Sequence, residues 1–179
     1  MRVFIAIDLS KECKAYLSSI MREIRGIFNN RGTFVPLENF HITLEFLSER
    51  DEDEIITTKR IMDNVGGKSF SFKITGGIGS FATRERNKRT YFLEAEHSNA
   101  LNELQWNLHQ ALQDEGFILE KRRYNPHITL LRNGYTKECI PSFPSFCEKV
   151  ASIHLMKSER VNGRMVYTSI HERLLDNPV

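Results

Sequence analysis

The tetrapeptide His41-Ile42-Thr43-Leu44 recurs as His127-Ile128-Thr129-Leu130 in the second half of the chain. With six histidines in 179 residues, a second His carrying the same three followers is expected by chance in roughly a few chains per thousand. Each copy is rich in β-branched residues and alternates, so each reads as a strand. Side chains alternate across a strand, which puts Ile42 and Leu44 on one face and His41 and Thr43 on the other, with the same division at 127–130. The chain must therefore build two strands that bury an aliphatic face and present an imidazole and a hydroxyl opposite. Two duplicated strands kept for packing alone are the plainer reading. That reading leaves both histidines without a purpose.

The rest of the chain supplies alternating helical and extended patterns. Val3, Ile5, Ile7 and Leu9 alternate as a strand. Ser10 then caps a helix whose apolar residues Cys13, Tyr16, Leu17, Ile20, Met21, Ile24, Ile27 and Phe28 recur at helical spacing. The motif strand Phe40–Phe46 follows. Asp51-Glu52-Asp53-Glu54 opens a second helix that runs to about Asn64, its acids at the positive end of the helix dipole. Ser69–Phe81 and Thr90–Ala95 read as strands, Ser98 caps a third helix along Leu101, Leu104, Leu108, Ala111 and Leu112, and Gly116 stops it. Asn125-Pro126 leads into the second motif strand, His127–Arg132. Phe146–Lys157 and Arg164–Leu174 form a closing hairpin about the turn Asn162-Gly163. These connections are too irregular for a doubly wound nucleotide fold.

Composition removes several function classes. The 25 Lys and Arg nearly balance the 23 Asp and Glu, for a net charge of +2, so any nucleic-acid contact must be local. Gly76, Gly77 and Gly79 fit neither a GxxxxGKS nor a GxGxxG spacing and instead suggest a bulge or a close backbone approach. Cys13, Cys139 and Cys147 form no CxxC pair, which predicts free thiols in a reducing compartment. The N-terminal apolar run is too short for a secretory leader, and the expected address is the cytoplasm. His41 and His127 lack the further ligands that zinc requires, so no metal or other cofactor is expected. His97, His109, His154 and His171 lie outside any motif and are read as ordinary surface or core histidines.

Paired imidazoles and hydroxyls suit phosphodiester cleavage by water. That reaction takes a proton from the nucleophile and gives one to the departing oxygen on the opposite side of phosphorus. A histidine can do either, because its reference pKa of ~6.5 leaves both protonation states available near neutrality. The threonine hydroxyls can donate to the non-bridging oxygens, where charge must be held.

At residues 2–9, Asn39–Leu47, Gly77–Phe81 and Asn125–Arg132 the sequence resembles the two-histidine phosphoesterases, and within them the RNA 2',3'-cyclic phosphodiesterases, also called 2'-5' RNA ligases. The resemblance implies an α+β bilobal fold of two sheet-plus-helix lobes, related by pseudo-twofold symmetry about a central cleft, with residues 1–179 as a single catalytic domain. It implies metal-independent hydrolysis of 2',3'-cyclic phosphate at RNA ends to a 2'-phosphate, with His41 as proton donor, His127 as proton acceptor and 2'-5' ligation as the reverse reaction. Thr43, Thr129 and Arg132 would bind the phosphate. Strict alternation nevertheless puts Arg132 on the Ile128/Leu130 face, away from the histidines. The implied partners are RNA ends or nucleoside 2',3'-cyclic phosphates, taken by a monomer without membrane contact. The alternative is a non-catalytic nucleotide- or RNA-binding module of the same fold. The basic stretches Arg84–Arg89 and Lys121-Arg122-Arg123 are candidates to follow an RNA backbone. Trp106, off its helix's leucine stripe, is a candidate for packing against the other lobe.

Overall fold

A computed structural model describes residues 1–177. The strands are β1 (Arg2–Asp8), β2 (Thr33–Phe34), β3 (His41–Glu49), β4 (Phe70–Ala82), β5 (Arg89–Ala95), β6 (His127–Gly134), β7 (Phe146–Val150), β8 (Ser152–Val161) and β9 (Arg164–Leu174). The helices are α1 (Lys11–Ile27), α2 (Glu52–Asn64) and α3 (Asn99–Asp114). The strands form two sheets, ordered β3-β1-β8-β9 and β2-β6-β5-β4-β7. Every strand pairing within them is antiparallel. The bilobal α+β expectation is met, with one motif strand in each sheet. Two details differ from the sequence reading. Residues 146–157 divide at Ala151 into β7 and β8, which join different sheets, and the short β2 is added at the edge beside β6.

The helix ends follow the residues that the sequence offered. Ser10 accepts a hydrogen bond from the Cys13 amide at 3.0 Å, and Ser98 one from Leu101 at 3.3 Å. Asp51 and Glu54 form a reciprocal capping box, which satisfies two otherwise orphaned amides of α2. Gly116 ends α3 at φ +86°, a left-handed conformation that only glycine adopts without steric cost. Asn162 and Gly163 both take positive φ at the β8–β9 turn.

The helices tie the sheets together. α1 follows a strand of the first sheet yet packs on β7 of the second, while α3 follows β5 of the second and packs on β3 of the first as well as on β4. One continuous hydrophobic cluster therefore includes Ile5, Ile42 and Ile153 of the first sheet with Ile74, Leu93 and Ile128 of the second. A buried carboxylate reinforces the join: Glu148 on β7, 1% exposed, accepts from the Ser10 amide at 2.6 Å and the Ser10 hydroxyl at 2.7 Å. Of the cysteines, Cys13 is buried and Cys139 and Cys147 are exposed, all as free thiols. Among the described residues no helix is long and apolar enough to cross a membrane.

Candidate active site

The two motif strands carry the same irregularity. Against β1, Ile5 pairs with Glu45 and Ala6 with Thr43, so Leu44 is an extra residue in β3. Against β5, Tyr91 pairs with Leu131 and Phe92 with Thr129, so Leu130 is the extra residue in β6. Each bulge lies three residues after its histidine and shifts the alternation by one. Leu44 and Glu45 are consequently both buried, as are Leu130 and Leu131. The residue after each pair returns to the histidine's face. This corrects the strict alternation expected for Arg132: with the bulge at Leu130, its guanidinium side chain lines the same cavity as His41, Thr43, His127 and Thr129.

That cavity measures about 310 Å³ and lies between the two sheets' motif strands, with Arg2, Phe4 and Tyr167 on the first sheet's side. Each imidazole is oriented by the backbone two residues before it. Nδ1 of His41 donates to the Asn39 carbonyl at 2.7 Å, and Nδ1 of His127 donates to the Asn125 carbonyl at 2.7 Å. A carbonyl only accepts, so each Nδ1 must carry its hydrogen and the neutral tautomer leaves Nε2 free as an acceptor. Nε2 of His41 accepts from the Thr43 hydroxyl at 3.1 Å. The Asn39 side chain is itself anchored, its Nδ2 donating to the Met165 carbonyl at 2.8 Å.

Aromatic rings enclose both histidines. Phe4 and Tyr167 lie 4.8 and 5.3 Å from the His41 ring, and Phe92 and Phe81 lie 4.9 and 5.1 Å from that of His127. Phe92 can sit there because Gly79, beneath it, has no side chain: a Cβ would fall 2.4 Å from the ring. The glycine-rich stretch thus serves close approach, as its spacing suggested. Gly76 does the same at the backbone of Phe143, where a Cβ would lie 1.8 Å from the carbonyl oxygen.

This enclosure shifts the chemistry. Burial pushes the His41 pKa from 6.5 down to about 4, and the positive charges of Arg132 and His127 push the same way against the opposing Asn39 bond and Asp8. Burial also lowers that of His127, with Arg122 and Arg132 adding to the effect. Both shifts favour the neutral imidazole at pH 7. An anion beside Arg132 would oppose its repulsion and favour the protonated form of either ring.

Other sequence candidates fall in two groups. Arg122 and Arg123 line a groove that continues from the cavity, and Trp106 is not packed between lobes but stands 59% exposed on the wall of that groove. The stretch Arg84–Arg89 lies at the β4–β5 turn. On β5, Arg89 opposes Gly134 while Glu94 opposes His127, so this stretch sits at the end of the sheet away from His127. Sequence reading missed the aromatic walls and Arg2: Arg2, Phe4 and Phe92 stand on strands beside the motif strands, whereas Phe81 and Tyr167 come from strands further across each sheet. Among the described residues no three His, Cys, Asp or Glu side chains gather as a metal-binding group.

The comparisons with known proteins agree with this geometry. The model of the AKAP7 2'5' RNA ligase-like domain matches residues 4–142. A protein of Thermotoga maritima named RNA 2',3'-cyclic phosphodiesterase is 37% identical over 139 residues, which is 75% of this chain and 71% of that relative. TT0787 of Thermus thermophilus superposes with a TM-score of 0.81 at 25% identity, covering 99% of both chains. E. coli LigT in its apo form superposes with a TM-score of 0.80 at 24% identity over 98% of both, which supports the fold. By its sequence match and its paired histidine strands, the chain belongs to the 2'-5' RNA ligase-like family of two-histidine phosphoesterases.

Proposed function

We propose that this protein is an RNA 2',3'-cyclic phosphodiesterase that opens the cyclic phosphate at an RNA end to a 2'-phosphate. The observation that carries this reading is the meeting of His41, His127, Thr43, Thr129 and Arg132 in one cavity, with both Nδ1 atoms tied back to carbonyls. The relative in Thermotoga maritima bears the same activity in its name.

The proton inventory closes on these residues. Nε2 of His127 takes a proton from water as its oxygen bonds to phosphorus. The bond from phosphorus to the 3'-oxygen breaks, and the imidazolium of His41 protonates that oxygen, leaving a 3'-hydroxyl and a 2'-phosphate. The anionic phosphate favours the proton on His41 by opposing the repulsion of Arg132. Arg132 and the two threonine hydroxyls hold the non-bridging oxygens as charge develops on them. Acid, base and counter-charge are all side chains, so the steps need no metal.

Turnover of adenosine 2',3'-cyclic phosphate in the presence of EDTA, with the product identified by chromatography, tests the proposal. The expected product is the 2'-monophosphate. Formation of the 3'-monophosphate would reverse the bond assignment, loss of turnover restored by one divalent ion would reject the metal-free route, and tight binding without turnover would make the chain a binding module.

A further inference from the structure

The catalytic cavity opens into a second, larger space. This groove, about 550 Å³, shares Thr43, Phe46, His127, Thr129 and Arg132 with the cavity and continues between α3 and the segment before β6. Three exposed aromatic side chains line it, Phe46, Phe81 and Trp106. Exposed aromatics on one surface are uncommon in a monomeric protein and mark an interaction site. Besides Arg132, the groove holds two further guanidinium groups. Arg122 is paired with Glu120, Nε to carboxylate 2.8 Å, whereas Arg123 forms no ion pair among the described residues.

The wall bearing Trp106 is built rather than incidental. The leucine stripe of α3 faces the core, and Gln105, Trp106 and His109, on one flank beside it, line the groove. His109 is held by Glu45, Nδ1 to carboxylate 2.7 Å, and its ring lies near parallel to the indole, 6.3 Å between centroids. Glu45 is buried because the Leu44 bulge turned it inward. The irregularity that aligns the motif strand thus also supports the groove wall.

We infer that this groove binds the RNA strand upstream of the cyclic phosphate, with Trp106 stacking on a base and Arg123 holding a backbone phosphate. The inference rests on the phosphodiesterase reading above. A cyclic phosphate occupies the 3' end of an RNA, so the rest of the strand must leave the cleft from the 5' side of the terminal nucleotide. Open aromatic faces with an unpaired arginine are the pairing that single strands use: stacking tolerates any base, and the cation meets the phosphate. The groove makes the enzyme selective for oligonucleotide ends over free cyclic mononucleotides.

The test compares kcat/KM on uridine 2',3'-cyclic phosphate with that on a uridine trinucleotide ending in a 2',3'-cyclic phosphate. The wild type should prefer the trinucleotide by about tenfold or more, and Trp106→Ala should remove most of that preference while Trp106→Phe keeps it, since one stacked base supplies a factor of this size. Arg123→Gln should reduce the salt dependence of trinucleotide affinity by about 0.7 in the log–log slope, the share of one single-strand phosphate. Equal wild-type kcat/KM on the two substrates, or a Trp106→Ala loss equal on both, would overturn the groove assignment while leaving the phosphodiesterase intact. Length preference that disappears in Arg2→Gln but survives in Trp106→Ala would route the strand across the first sheet instead. Failure to turn over either substrate would remove the phosphodiesterase reading and the groove's role with it.

Discussion

Phe46 and Arg132 occupy the same place in the two motif strands, five residues after their histidines and two after the bulge leucine, and both line the cleft. The pseudo-symmetry of the strands is therefore broken at this position in charge and not in direction. The guanidinium stands on the His127 strand alone, and its counterpart on the His41 strand is a half-exposed aromatic ring. An anion placed between the histidines would accordingly be drawn toward one side, and the two chemically identical imidazoles have different surroundings.

Arg132 should then be required for binding the phosphate in one orientation. Arg132→Met is expected to lower kcat/KM about 10–100-fold, the scale of a charge-assisted hydrogen bond lost. Arg132→Lys should recover only part of it, because an ammonium cannot meet two oxygens in one plane. An unchanged kcat/KM in Arg132→Met would show that the guanidinium does not touch substrate.

Single replacements His41→Ala and His127→Ala should each cost roughly 10²–10⁴ in turnover, the usual contribution of one general acid or base. Because both act on one phosphorus, the double variant should lose less than the product of the single losses. Thr43→Val and Thr129→Val should lose less than either histidine variant, about 10–100-fold, through a hydrogen bond to a charged oxygen. Circular dichroism on each variant separates chemistry from folding.

The pH profiles of kcat/KM and kcat should differ. The free enzyme, which kcat/KM reports, holds His41 down at about 4 and His127 below its ordinary value. The form with one proton on the pair therefore peaks below pH 6.5, and kcat/KM should fall as pH rises through neutrality. In the complex the phosphate charge raises both values, so the basic limb of kcat should lie at higher pH. The same shifts act on stability. Both folded values lie below the unfolded one, so this contribution is complete above about pH 6.5 and is lost as pH falls toward 4. Coincident basic limbs in the two profiles, or an NMR titration of the empty enzyme placing His41 near 6.5, would contradict the desolvated site.

Glu148 should matter to stability through the contact it makes between sheet and helix. Glu148→Ala leaves the Ser10 amide without its acceptor and should cost about 2 kcal/mol, or about 4–8 °C in Tm for a chain of this size. Glu148→Gln keeps an acceptor oxygen and should recover part of the loss. A Tm for Glu148→Ala within 1 °C of wild type, by about the precision of a thermal scan, would show that Ser10 and the helix start hold without it.

Local chemistry made much of this protein legible in its sequence. The strand at His41, the helix starts at Ser10, Asp51 and Ser98, the stop at Gly116 and the turn at Asn162-Gly163 all depend on contacts between residues a few positions apart. The shared face of His41 with Thr43, and of His127 with Thr129, follows from alternation alone. What the tertiary structure decided begins one residue later. Whether Leu44 and Leu130 are extra residues depends on which residues of β1 and β5 they face, and no property of the motif strand by itself states that register. The same holds for the division of 146–157 between two sheets, the exposure of Trp106 and the aromatic enclosure of both imidazoles. Each is set by neighbours distant in sequence, and the enclosure is what lowers both histidines from their ordinary titration range.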